Sequence, residues 1–165
     1  MNAGIILHEC GHLFDAMSRD DSVMEGFIRP AQDGSGEIEA LYASDVDGGV
    51  EDAVIACVWG FCAANPDLAA QLLLRPAQAV STFEGIVAED APDLHAATFC
   101  ASQQDIDTLR AGHVDTNLWL SALALGVMVT KARTYTAKMN AMLAEFQRTG
   151  LLRVSRAEIF ALIPA

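Results

Sequence analysis

The sequence has few positive charges. Its 165 residues include 10 lysines and arginines against 22 aspartates and glutamates, which gives a net charge of −12 at pH 7. A surface of this sign repels phosphate backbones, so nucleic acid is a poor partner for the chain. We therefore expect no nucleic-acid-binding function.

Long apolar runs are also missing. The two most apolar stretches, Ala53–Ala64 and Leu118–Val129, each contain a dozen residues, whereas a helix that crosses a bilayer needs about 20. These stretches are typical of buried helices, and we expect no membrane span. No cationic region precedes an apolar segment at the N-terminus, as it would in a secretory signal, so we expect a cytoplasmic protein.

The four cysteines form no C-x-x-C pair, which argues against a thiolate zinc finger. We expect free thiols in a reducing compartment at all four positions, Cys10, Cys57, Cys62 and Cys100. Hydrophobic residues make up 52% of the chain, far more than a disordered segment contains. The length fits a single domain over residues 1–165.

The hydrophobic periodicity predicts a mainly helical domain with one small β-hairpin. We expect a helix over Asn2–Met17, a central apolar helix over Val50–Ala64, and almost continuous helix from Leu94 to the C-terminus. Between the first two helices, Val23–Pro30 and Glu37–Ala43 have the pattern of strands separated by a turn.

One short motif carries chemistry, the sequence H-E-C-G-H at residues 8–12. On a helix, side chains four positions apart project from one face, so His8 and His12 can bind one metal ion. Glu9 is then placed to take a proton from a water that the metal activates for attack on a peptide carbonyl. Gly11 costs a helix about 1 kcal/mol, which suggests that something approaches this helix closely.

A catalytic zinc needs a third protein ligand, and the residues alone leave several candidates. Three of the carboxylates, Glu51, Asp52 and Asp105, also have a structural explanation, because acidic side chains stabilise helix N-termini. The candidates are six carboxylates and two histidines: Glu37, Glu39, Glu51, Asp52, Asp105, Asp107, His95 and His113. Asp107 lies about 200° around a helix from Asp105, so it is expected to face solvent if Asp105 is a ligand.

The motif and its surroundings resemble the peptidase domain of the FtsH-type ATP-dependent zinc metalloproteases, in a stand-alone form without the ATPase. H-E-C-G-H is similar to the H-E-x-G-H helix of that family, and VMEGFIRP at 23–30 is similar to the β element that follows it. ASQQDI at 101–106 is similar to the segment that supplies the family's aspartate ligand. LRVSRAEIFAL at 152–162 is similar to the family's final helix.

The resemblance implies a helical, zincin-like metallopeptidase domain that holds one Zn²⁺ ion through His8, His12 and Asp105, with Glu9 as the general base. Its implied activity is hydrolysis of peptide bonds in peptides or unfolded protein segments. The separation of His12 and Asp105 is longer than the family leads us to expect, which indicates an insertion around Pro76–Pro92.

Two further expectations concern assembly and an alternative function. Peptidase domains of the resembled family pack in rings, so this chain is a candidate for a homo-oligomer. The alternative to a peptidase is a catalytically inactive zinc-binding helical module that serves in assembly or protein binding.

Overall fold

The computed structural model describes residues 2–165, which form a mainly helical structure with a small antiparallel sheet. The elements in chain order are α1 (Ala3–Arg19), β1 (Glu25–Pro30), β2 (Ile38–Leu41), α2 (Gly49–Ala64), α3 (Pro66–Leu73), α4 (Pro76–Ala88), α5 (Pro92–Phe99), α6 (Gln103–Ala111), α7 (Thr116–Lys131), α8 (Tyr135–Thr149), β3 (Leu152–Ser155) and α9 (Arg156–Phe160).

Helix α1 is buried along most of its length. Its N-cap is Asn2, whose side-chain oxygen accepts a hydrogen bond from the Ile5 amide at 3.1 Å and so satisfies one of the free N–H groups of the first turn. A Cβ atom on Gly11 would lie 2.8 Å from the Cα of Ala56 on α2. The close approach suggested by Gly11 is therefore that of a second helix backbone.

Helix α2 lies at the centre of the core, as its nearly uniform apolar composition predicts. Every residue from Ala53 to Cys62 is buried. Trp59 and Phe61, together with Trp119 from α7, are at most 1% exposed, as expected of core residues. The four cysteines are free thiols, and only Cys100 is partly exposed.

Prolines begin three successive helices. Pro66, Pro76 and Pro92 each occupy the first helical turn, where the missing N–H would have had no intrahelical partner. The segment around Pro76–Pro92, for which the sequence pattern indicates no clear element, is thus helix α4 followed by the start of α5. Whether it is an insertion relative to the resembled family stays a prediction.

The expected hairpin is present, but it is part of a larger sheet with the strand order β2-β1-β3. The expectation of almost continuous helix after Leu94 is wrong at residues 152–155, which pair with β1. Gly150 ends α8 with a positive φ of 71°, and the next residues alternate buried Leu152 and Val154 with more exposed neighbours. That alternation suits a strand with one buried face, so only the C-terminal part of the 152–162 segment is helical.

No single helix in residues 2–165 has both the length and the apolar composition needed to span a membrane. The bent pair of α2 and α3, which meet at 117°, reaches those values only when the two are counted together.

Replacement of Gly11 by alanine is expected to lower the free energy of unfolding by about 1–3 kcal/mol, the usual cost of forcing an extra methyl group into a packed interior. Helix propensity alone predicts the opposite sign, a gain of about 1 kcal/mol. Chemical denaturation followed by circular dichroism measures the difference.

Gly85→Ala is the matched control, because Gly85 lies inside α4 and a Cβ atom there would meet no atom of residues 2–165 within 4 Å beyond its chain neighbours and the adjacent backbone of its own helix. It should raise the free energy of unfolding by about 0.5–1 kcal/mol. If Gly11→Ala stabilised the protein to the same extent, the close contact between α1 and α2 would be refuted.

Candidate metal centre

The two histidines of the H-E-C-G-H motif face each other across one turn of α1. Their rings are nearly perpendicular, with an interplanar angle of 76° and centroids 4.9 Å apart. The Nε2 atoms of His8 and His12 lie 3.2 Å from each other. The His8 side chain is almost fully buried, whereas the His12 side chain is 14% exposed.

Asp105 approaches both histidines from the first turn of α6. Its Oδ2 lies 2.9 Å from His8 Nε2, and its Oδ1 lies 3.4 Å from His12 Nε2. A capping box with Ser102 holds this carboxylate, because the Ser102 hydroxyl accepts from the Asp105 amide while Asp105 accepts from the Ser102 amide. The role in helix capping and the approach to the histidines therefore belong to the same side chain.

The spacing of these donor atoms fits a small tetrahedral ion. Zinc bonds of about 2.0–2.1 Å to nitrogen and oxygen place neighbouring ligand atoms about 3.3 Å apart at tetrahedral angles. The two Nε2 atoms are 3.2 Å apart, and the Asp105 carboxylate lies 2.9 Å from His8 through Oδ2 and 3.4 Å from His12 through Oδ1. With one ligand atom taken from each residue, the three atoms lie within 4.8 Å of one another. His8, His12 and Asp105 thus offer two nitrogens and one oxygen around a common point, which suits Zn²⁺ and leaves a fourth position open.

A backbone carbonyl fixes the tautomer of His8. The Nδ1 atom of His8 lies 3.1 Å from the carbonyl oxygen of Phe99, the last residue of α5. Because a carbonyl only accepts, Nδ1 must carry a proton, so in the neutral ring Nε2 has the lone pair that a metal requires. A Cβ on Gly60 would overlap the Phe99 oxygen, so the glycine in α2 lets this carbonyl reach its position.

A carboxylate orients His12 in the same way. Asp52, in the first turn of α2, places its Oδ1 3.0 Å from His12 Nδ1. The hydrogen bond directs the Nε2 of His12 toward His8 and Asp105 and increases the basicity of the ring. Asp52, one of the ligand candidates, thus contacts the histidine nitrogen opposite to the one that faces the other donors.

The charges of the site shift the pKa values of Asp105 and His12 in opposite directions. Burial raises the pKa of Asp105, but hydrogen bonds with His12 and His8 outweigh burial and hold that pKa well below its usual range. Burial lowers the pKa of His12, yet hydrogen bonds with Asp105 and Asp52 raise it well above the ordinary histidine value. A proton and a metal therefore compete for His12, so metal affinity should fall as the pH decreases.

Glu9 lies beside these residues at the wall of an open cleft of about 490 Å³. It is 6% exposed, and burial raises its pKa above the usual glutamate value. A raised pKa brings a carboxyl group nearer to the range in which it exchanges protons at neutral pH. The cleft also reaches β2, the start of α2 and the first turn of α6.

The remaining candidates from the sequence lie elsewhere. Glu51 is exposed in the first turn of α2, while Glu37 and Glu39 line the cleft without joining the histidine cluster. Asp107 is exposed, as expected, and accepts a hydrogen bond from Gln103. His113 is exposed, and the buried His95 contacts the Ile86 carbonyl through Nε2 at 2.9 Å.

Three interactions that hold the site residues in position were not predicted from the sequence. The capping box of Ser102 and Asp105 has a recognisable S-x-x-D pattern and was open to detection. The orienting role of Asp52 and the carbonyl of Phe99 have no sequence signal of their own, since both depend on how α2 and α5 pack against α1.

Comparison with family models, with curated proteins and with solved structures finds no match for this chain. The function proposed below therefore rests on the residues and their geometry.

The substitution Asp52→Ala is expected to weaken zinc binding by about 10- to 100-fold, the usual effect of removing a partner that orients a histidine ligand. A competition titration against a chelator of known affinity measures the change. Asp107→Ala is the control, because it removes an exposed carboxylate two positions from Asp105. Equal zinc affinity of the Asp52 variant and the wild type would show that this hydrogen bond does not orient a ligand.

Proposed function

We propose that the protein is a zinc-dependent metallopeptidase, with His8, His12 and Asp105 as the metal ligands and Glu9 as the general base. The convergence of two imidazole nitrogens and one carboxylate beside a buried glutamate in an open cleft carries this proposal. Zinc, when bound, supplies a Lewis acid that lowers the pKa of water and polarises a carbonyl group.

The residues of this chain have separate tasks in the proposed reaction. Phe99 and Asp52 hold the Nδ1 protons of the two histidines in place, so that both Nε2 atoms stay directed inward. Glu9 follows His8 directly in α1 and borders the same cleft. Its carboxylate accepts a proton from the attacking water and passes it to the departing amine, for which its raised pKa is suitable.

An open strand edge beside the cleft favours polypeptide substrates. The Ala31 amide donates to the Glu37 carbonyl at 2.8 Å, and β1 pairs with β2 in antiparallel register. Hydrogen-bonded pairs alternate along such a ladder, so the amides and carbonyls of Ile38 and Ala40 point away from β1. Both residues line the cleft, where an extended peptide can add to β2 as a further strand.

Such a substrate must be locally unfolded, because adding a strand to β2 requires free backbone amides and carbonyls. We therefore propose flexible or unfolded protein segments as the substrate class. Folded domains are poor candidates, since their backbone groups are already paired.

Replacement of Glu9 by glutamine should reduce peptide-bond cleavage by about 10²–10⁴-fold, the typical contribution of a general base. The assay follows fragments of an intrinsically disordered protein by mass spectrometry, with zinc content measured in the same samples. Zinc should be retained, because Glu9 does not belong to the ligand group.

Glu84→Gln provides the control, since Glu84 is an exposed residue of α4 away from the cleft. Equal cleavage by the wild type and the Glu9 variant would refute the assignment of the general base. Zinc binding without cleavage by the wild type would support the alternative function, an inactive zinc-binding module.

A further inference from the structure

Within residues 2–165, the cleft beside the histidine cluster is lined by acidic side chains and by no lysine or arginine. Besides Asp105, Asp52 and Glu9, it carries four more carboxylates, those of Asp33, Glu37, Glu39 and Asp47. Zinc and its ligands account for only part of this negative charge. The four additional carboxylates line the same cleft as Ile38 and Ala40 of β2, where the proposed substrate would lie.

Most of these additional carboxylates are exposed and can form ion pairs with a cationic ligand. Asp33, Glu37 and Asp47 are exposed. Asp33 accepts the amide of Ser35 at 2.9 Å, and hydrogen bonds from Ser35 lower its pKa, so it stays ionised. Arg29 forms an ion pair with Glu39 at 3.2 Å, which neutralises only one of the four.

A second observation points to a ligand at this wall. Glu9 is 6% exposed, borders the cleft and forms no hydrogen bond or ion pair with a side chain or backbone group of residues 2–165. Burial of an unpaired carboxylate costs free energy unless a partner arrives. A group that donates hydrogen bonds or carries positive charge is the chemical class that satisfies it.

We propose that the cleft selects cationic polypeptide segments, rich in lysine or arginine, which lie extended along β2 with basic side chains against Glu37, Asp33 and Asp47. This inference rests on the proposed function, which places the substrate polypeptide beside Glu9. Binding of the substrate's basic side chains is nevertheless a step separate from cleavage. Electrostatic complementarity of this kind acts mainly on association rate and on selection among partners.

The test uses two disordered peptides of identical sequence, except that four lysines in one are four glutamates in the other. Their binding is measured by fluorescence anisotropy on the zinc-loaded Glu9→Gln protein, in which the amide oxygen still accepts hydrogen bonds and the four additional carboxylates are unchanged. Their cleavage by the wild type is measured in parallel. We expect the lysine peptide to bind at least about tenfold more tightly at low salt, and the difference to shrink at about 0.5 M salt because exposed charges are screened.

Charge reversal localises the effect. Glu37→Lys should reduce the preference for the lysine peptide by about tenfold, since Glu37 is exposed at the cleft. Glu84→Lys makes the same change of net charge on α4, away from the cleft, and should leave the preference within about twofold.

The outcomes separate this inference from the proposed function. Binding that favours lysine without any cleavage supports the cationic ligand and refutes the peptidase. Cleavage of both peptides at equal rates, with equal binding, supports the peptidase and overturns the inference. Equal effects of Glu37→Lys and Glu84→Lys also overturn it, because the preference would then reflect only the net charge of −12.

Discussion

The backbone contact between α1 and α2 is the constraint on which the rest of the site depends. Gly11 lies next to His12 in α1, and its contact with Ala56 brings α2 closer than a side chain at position 11 would allow. At this distance Asp52, one turn earlier in α2, reaches the Nδ1 of His12. A wider separation would leave that hydrogen bond unmade and the ring free to turn.

The same helix pair also orients the second histidine. Gly60, one turn beyond Ala56 in α2, leaves room for the carbonyl of Phe99, and this carbonyl accepts the Nδ1 proton of His8. Cys100 follows in a left-handed conformation with φ 54°, which turns the chain toward the capping box of α6. Two glycines and one turn thus bring α1, α2, the end of α5 and α6 together around the proposed ligands His8, His12 and Asp105.

Several features of this arrangement were predictable from the sequence because their causes are local. The helix over residues 3–19, the apolar helix α2 and the β1–β2 hairpin follow from side-chain periodicity. The pairing of His8 with His12 follows from helix geometry alone. Asp105 was singled out only through a family resemblance, since local pattern left eight candidates open, and the structure places it next to both histidines.

The remaining features depend on contacts between distant parts of the chain. Strand β3 has only four residues, and its partner β1 lies more than a hundred positions earlier, so its alternation was too short to separate from a helix start. The carbonyl of Phe99 is a backbone atom, and any residue type would supply it. The acidic cleft forms where a turn, a strand and two helix N-termini meet, which charge counts along the chain do not reveal.

The central claim is that His8, His12 and Asp105 bind one metal ion, and the zinc content of the purified protein tests it most directly. Native mass spectrometry of untagged protein, prepared without chelators and with circular dichroism as the check of folding, gives the number of zinc ions per chain. We predict about one zinc per chain in the wild type and a large loss in Asp105→Ala, because removal of one of three ligands leaves only the histidine pair. Folded protein without zinc, or a folded Asp105→Ala variant with undiminished zinc, would contradict the claim.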